Sequence, residues 1–162
     1  MKITKDPFLD SWELAESDQA QPKAQGPELV PCDRKRILIV DDEETVRRIT
    51  WHVLRNDLGS GYDCDFAENG QEAVKQFTQY HQKLIFLDLS MPVLDGGQAA
   101  EQIVDICEES HWETPCIIFR TGYDPGHNIR NIVACDPSHC LLRKPVRNRT
   151  LVMAARRRLG LS

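Results

Sequence analysis

The sequence predicts an α/β fold, a doubly wound five-stranded parallel sheet with five helices, and three observations carry that expectation. Short apolar runs alternate with amphipathic stretches from about residue 35 to residue 160, the pattern of repeated βα units. The runs at residues 37–40, 84–87 and 116–119 are apolar at every position, as strands covered on both faces are. Each of these runs stops abruptly on polar residues: Asp41-Asp42, Asp88 and Arg120-Thr121-Gly122.

In chain order, Lys35-Arg36-Ile37-Leu38-Ile39-Val40 reads as the first strand. Residues 44–56 put Val46, Ile49, Val53 and Leu54 at helical spacing and form the first helix. Gly59-Ser60-Gly61 turns the chain into a weaker strand at 62–67, and Asn69-Gly70 opens a second helix carrying Ala73, Val74 and Phe77. The third strand, 84–87, ends at Asp88. Gly96-Gly97 precedes a helix with Ala100, Ile103, Val104 and Cys107, and Pro115 introduces the fourth strand. A short helix around Ile129, Ile132 and Val133 stops before Pro137. So short a helix is marginal by itself and must be held by packing. Cys140-Leu141-Leu142 is the last strand, and Asn148 is expected to cap a final helix through Leu151, Ala154, Ala155 and Leu159. With right-handed crossovers, a strand order of 2-1-3-4-5 gives the flavodoxin-like form of this fold.

Composition narrows the function class. With 162 residues, 41% hydrophobic and 28% charged, the chain has the make-up of an ordinary globular domain with one core and a tail. No apolar run approaches the ~20 residues of a membrane-spanning helix, and Met1 to Asp10 holds no secretory signal. The expected location is the cytoplasm, with no membrane partner. Residues 1–34, with Pro7, Pro22, Gly26, Pro27 and Pro31 among polar residues, read as a flexible N-terminal tail and linker, and residues 35–162 as the domain. Inside the tail, Pro7 with Phe8, Trp12 and Ala15 at helical spacing makes a candidate docking segment.

Cys32, Cys64, Cys107, Cys116, Cys135 and Cys140 are read as free thiols, several of them small buried hydrophobes, rather than as a disulfide framework. Cys135, His139 and Cys140 contain no CxxC pair and are not expected to hold zinc. The net charge is −5, yet no acid follows Asp136 while Arg143, Lys144, Arg147, Arg149, Arg156, Arg157 and Arg158 do. A basic stripe supplies only nonspecific affinity for nucleic acid, so a nucleic-acid partner is not expected.

The polar strand ends carry the chemistry. In open parallel α/β sheets ligands bind just outside the carboxyl ends of the strands. Asp41-Asp42, Asp88, Thr121 and Lys144 should therefore converge on one edge of the sheet. Carboxylates gathered together repel one another unless a cation neutralises them, and hard oxygen ligands favour magnesium. A lysine and a hydroxyl beside them suit a transferred phosphoryl group, whose equatorial oxygens they would stabilise. A carboxylate can itself be the nucleophile of such a transfer.

Four motifs in order resemble the receiver domain of two-component response regulators, the CheY-like family. They are Ile37-Leu38-Ile39-Val40-Asp41-Asp42, Asp88-Leu89-Ser90-Met91-Pro92-Val93-Leu94-Asp95-Gly96, Phe119-Arg120-Thr121-Gly122 and Lys144-Pro145. The resemblance covers roughly residues 35 to 160. It implies that Asp88 accepts phosphate from a phosphohistidine, so the partner upstream is a sensor histidine kinase or a histidine phosphotransfer protein. It implies Mg2+ held by Asp42, Asp88 and the backbone carbonyl of Ser90, with Asp41 acting mainly through bound water. Thr121 and Lys144 would contact the phosphoryl group, and the Lys144-Pro145 bond would be cis.

Two features depart from the family. Leu141 stands where an aromatic switch residue is common, three positions before the lysine, and the helix after Gly126 closes without a glycine. Only 17 residues follow Pro145, so a stand-alone receiver is expected, with output through an unidentified protein partner or onward phosphotransfer. It is expected not to be an enzyme beyond its own phosphorylation and dephosphorylation. The competing readings are a phosphorylation-independent pseudo-receiver scaffold and a phosphohydrolase of the haloacid dehalogenase type. The latter family's second aspartate would stand where this chain has Ser90.

Overall fold

The computed structural model describes residues 29–162, so the Phe8–Trp12 docking segment lies outside the described residues. Five strands alternate with five helices: β1 (Asp33–Val40), α1 (Glu44–Leu58), β2 (Asp63–Ala67), α2 (Gly70–Tyr80), β3 (Gln82–Asp88), α3 (Gly96–Ser110), β4 (Cys116–Thr121), α4 (His127–Cys135), β5 (Cys140–Arg143) and α5 (Asn148–Arg158). The strands are all parallel, in the order β2-β1-β3-β4-β5. This is the flavodoxin-like order expected from the sequence.

Period-two alternation sorts the strand side chains into two layers. Leu38, Val40, Ile85, Leu87, Ile117 and Phe119 pack with Phe77 of α2, Ile103 of α3 and Ile129 of α4. Ile37, Ile39, Leu84, Phe86, Cys116 and Ile118 pack instead with Leu54 of α1 and Leu151 and Ala155 of α5. Side chains such as Phe77, Phe86 and Phe119 are fully buried, each contributing roughly 1.5–3 kcal/mol relative to exposure.

Local chemistry fixes the helix starts. Asn69 caps α2 by accepting from the Glu72 N–H at 2.9 Å. Asp95 and Gln98 form a reciprocal capping box at α3. At α5 the expectation fails by one residue: Arg147 is the cap, without a side-chain bond, and Asn148 is already helical. β1 also begins earlier than expected, at Asp33, because its polar first half pairs with the sheet beyond the helices that cover it. Ahead of it, Val30 donates to the His111 carbonyl at 2.9 Å and accepts from the Glu113 N–H at 2.7 Å.

All six cysteines are free. Burial pushes the thiols of Cys32 and Cys107 up to about 12 and about 11, so they pack rather than react.

His139 ties β4 to the turn before β5. It is 4% exposed, and its Nδ1 accepts from the Ile117 N–H at 3.1 Å, which requires an unprotonated nitrogen. Burial holds this imidazole below its ordinary value of 6.5, opposed by Asp136 and reinforced by Arg158. The unfolded chain thus binds the proton first, and stability is complete above pH 6.5 and lost as pH falls toward the depressed folded value. In urea melts from pH 8 to pH 5, His139→Gln, which keeps an acceptor but cannot titrate, is expected to flatten the decline over that window. An unchanged slope refutes the assignment.

Candidate acidic site at the strand ends

Strand parity decides which side chains meet. Asp41 follows Ile37 and Ile39, Asp88 follows Leu84 and Phe86, Arg120 follows Cys116 and Ile118, and Lys144 follows Cys140 and Leu142. All four therefore point toward the α1/α5 layer at the carboxyl edge. Thr121 has the other parity and sits over the α4 side.

The site is closely knit. Asp41, Asp42 and Asp88 each offer a carboxylate oxygen, and these lie within 4.8 Å of one another. Asp41 and Asp88 are buried while Asp42 is exposed, so the cluster is open to water on one side. Three hard oxygens at this spacing fit a divalent cation such as magnesium, which keeps several waters and needs only a few carboxylates. Among the described residues it is the one such group of acids, histidines or cysteines.

Lys144 places Nζ 2.9 Å from Asp88 Oδ2 and 3.9 Å from Asp41 Oδ2. The other Asp88 oxygen accepts from the Ser90 N–H at 3.3 Å. The Lys144-Pro145 bond is cis. Burial raises the Asp41 carboxyl above its ordinary range; the Glu43 N–H, Arg120 and Lys144 oppose the rise, and Asp88 adds to it. Thr121 is buried, but its hydroxyl is turned back on its own loop. It donates to the Tyr123 carbonyl at 2.9 Å and accepts from the Tyr123 N–H at 3.0 Å.

Arg120 is the residue that sequence reasoning passed over. Its Nη2 lies 3.0 Å from Asp41 Oδ2, and its Nη1 donates to Thr50 Oγ1 at 3.1 Å. The signal was available: a charged residue in a strand apolar at its first four positions needs a buried partner, and parity points it at Asp41. Its contact also explains a shift in α1. Thr50 is buried, whereas Ile49, expected in the core, is 57% exposed.

A model of the response regulator receiver domain matches residues 37–156. The chain belongs to the response-regulator receiver family. This receiver domain is 34% identical over 77 residues to the chemotaxis protein CheY of Halobacterium salinarum, covering 48% of this chain and 62% of that protein. It is 41% identical over 70 residues to hybrid signal transduction histidine kinase F of Dictyostelium discoideum, covering 43% of this chain and 6% of that one. The chain thus spans less than two thirds of either relative. Its fold matches a CheY-like receiver domain from Methanospirillum hungatei with a TM-score of 0.65, at 24% identity, over 78% of this chain and 94% of the other. A chain in the co-crystal of the Saccharomyces cerevisiae histidine phosphotransfer protein Ypd1 with the receiver domain of Ssk1 matches at 29% identity and a TM-score of 0.59, over 77% of this chain and 84% of that one. The protein is a receiver domain of two-component signalling, and no helix among its described residues is long and apolar enough to cross a membrane.

Proposed function

We propose that this receiver domain is a magnesium-dependent switch that accepts a phosphoryl group on Asp88. The observation that carries the reading is the pairing of a buried carboxylate with a lysine 2.9 Å away, beside two further acids. In the transfer, one Asp88 oxygen forms a bond to phosphorus as the bond to the donor's imidazole nitrogen breaks. The nitrogen keeps the electron pair and leaves, and an acyl phosphate remains. Lys144 is held where it neutralises charge on the phosphoryl oxygens, and the Ser90 N–H is a further donor beside Asp88.

A divalent ion bound by Asp42, Asp88 and the Ser90 carbonyl would supply the remaining neutralisation. Asp41, the more buried acid, would act on it through water. Thr121 would report the modification by redirecting its hydroxyl. The phosphodonor would be a sensor histidine kinase or a histidine phosphotransfer protein, as the yeast complex suggests. Output would pass to a protein partner in the cytoplasm, with residues before about 34 dispensable for labelling.

Incubation with a small acyl-phosphate donor and Mg2+ is expected to add one phosphate, located on Asp88 by mass spectrometry. Chelator or Asp88→Asn should abolish it. Labelling of Asp88→Asn at the parent's rate overturns the assignment of Asp88 as acceptor, and no labelling of the folded parent favours the scaffold reading instead.

A further inference from the structure

We propose that Arg120 is a resident counter-ion of the acidic site: it claims Asp41, leaves a divalent cation to Asp42 and Asp88, and makes that cation bind more weakly than it would to the three carboxylates alone. The inference rests on the reading of this cluster as a divalent-cation site.

The Arg120 and Asp41 side chains are 7% and 2% exposed, so neither charge is screened by water. Arg120 is fixed at both ends of its guanidinium, by Asp41 through Nη2 and by Thr50 through Nη1. Asp41 is equally committed, since its Oδ1 accepts from the Glu43 N–H at 3.0 Å and its Oδ2 takes Arg120. A buried pair of this kind cannot lose one member cheaply, because the other is left charged in a dry place.

The charge count gives the consequence. Asp41, Asp42 and Asp88 carry three negative charges, and Lys144 and Arg120 return two positive ones. The metal-free cluster is left with a single net charge, and most of the repulsion that would draw in a divalent ion is already relieved. Lys144 is 35% exposed, so its charge is shared with water. Arg120 is buried and held by two partners, so its charge stays beside Asp41.

The test is calorimetric titration of Mg2+ into the full chain, with thermal melts in chelator as a second readout. Arg120→Met should bind Mg2+ about tenfold more tightly than the parent, and Arg120→Lys, which keeps the charge, should stay near it. Without metal, Asp42→Asn should melt at or above the parent because it removes a repelling charge. Asp41→Asn should melt several degrees lower because it strands Arg120, and adding Arg120→Met should recover part of that loss. Equal Mg2+ affinity in Arg120→Met and parent overturns the proposal, as does Asp41→Asn melting as high as Asp42→Asn. If Arg120→Met does not fold, the opposite signs of the two asparagine variants decide. Labelling of Asp88 is not among the readouts. A chain that behaves this way yet takes no phosphate would refute the proposed function and leave the counter-ion role standing.

Discussion

Gly96→Ala is expected to cost about 3 kcal/mol or more, lowering the melting temperature by roughly 10 °C, and to slow labelling of Asp88 in whatever folds. Gly96 is the first residue of α3 and is buried. A methyl group there would run into the Asp88 carbonyl oxygen, with the Asp88 carbonyl carbon at 2.9 Å and the Leu89 Cα at 3.0 Å. All three are backbone atoms, so no side chain can rotate away. The loop from Asp88 to Asp95 would have to lift, carrying the carboxylate out of line with Lys144. Neighbouring glycines are the controls. At Gly97 a methyl meets only side-chain atoms, Asp95 Oδ1 and Ile129 Cδ1, each at 3.2 Å, and at Gly122 it meets nothing within 4 Å. Gly97→Ala and Gly122→Ala should therefore stay within about 1 kcal/mol of the parent. Urea melts of the three variants beside labelling rates will check this. A Gly96→Ala protein as stable as Gly122→Ala would show that α3 can move without disturbing Asp88.

The same close packing explains what was legible in the sequence and what was not. The sheet was readable because both of its faces are covered, which makes strands such as Leu84-Ile85-Phe86-Leu87 apolar throughout. The polar residues that stop them then stand out as the carboxyl edge. Asp41, Asp42, Asp88 and Lys144 are brought together there as expected. Thr121 is brought to the same edge with its hydroxyl engaged elsewhere. Element ends were less legible, since Asp33 pairs with Gln82, distant in sequence, and α5 starts after Arg147 without a side-chain cap to mark it. Ile49 and Thr50 exchanged places for a tertiary reason. A helical pattern marks the apolar stripe, but the hydroxyl that a buried arginine needs is specified by β4, seventy residues away. Arg120 itself needed two steps, strand parity and a charge search across the sheet, that motif matching bypasses.

Thr121 leads to the last expectation: phosphorylation should change amide exchange chiefly in residues 121–136. With Leu141 half-buried against the core in the usual aromatic position, no ring is available there to swing between pockets. The movable element is the Thr121 hydroxyl. In the unmodified protein it clamps the following turn by bonding both the N–H and the carbonyl of Tyr123. A phosphoryl oxygen on Asp88 is a charged acceptor, and bonds to charged groups are about twice as strong as neutral ones. The hydroxyl is therefore expected to change partners, and the Tyr123 N–H loses its acceptor. One net hydrogen bond is worth about 1 kcal/mol, so exchange at Tyr123 should quicken by about fivefold. The change should spread into α4, whose nine residues include one fully packed side chain, Ile129, and which has little to lose by shifting. Thr121→Ala has no clamp to release: its Tyr123 amide should exchange fast in both states, while Asp88 is still labelled. Hydrogen exchange with and without an acyl-phosphate donor measures both. Changes confined to α1, or an undiminished response in Thr121→Ala, would rule out this route from the acidic site to the α4 surface.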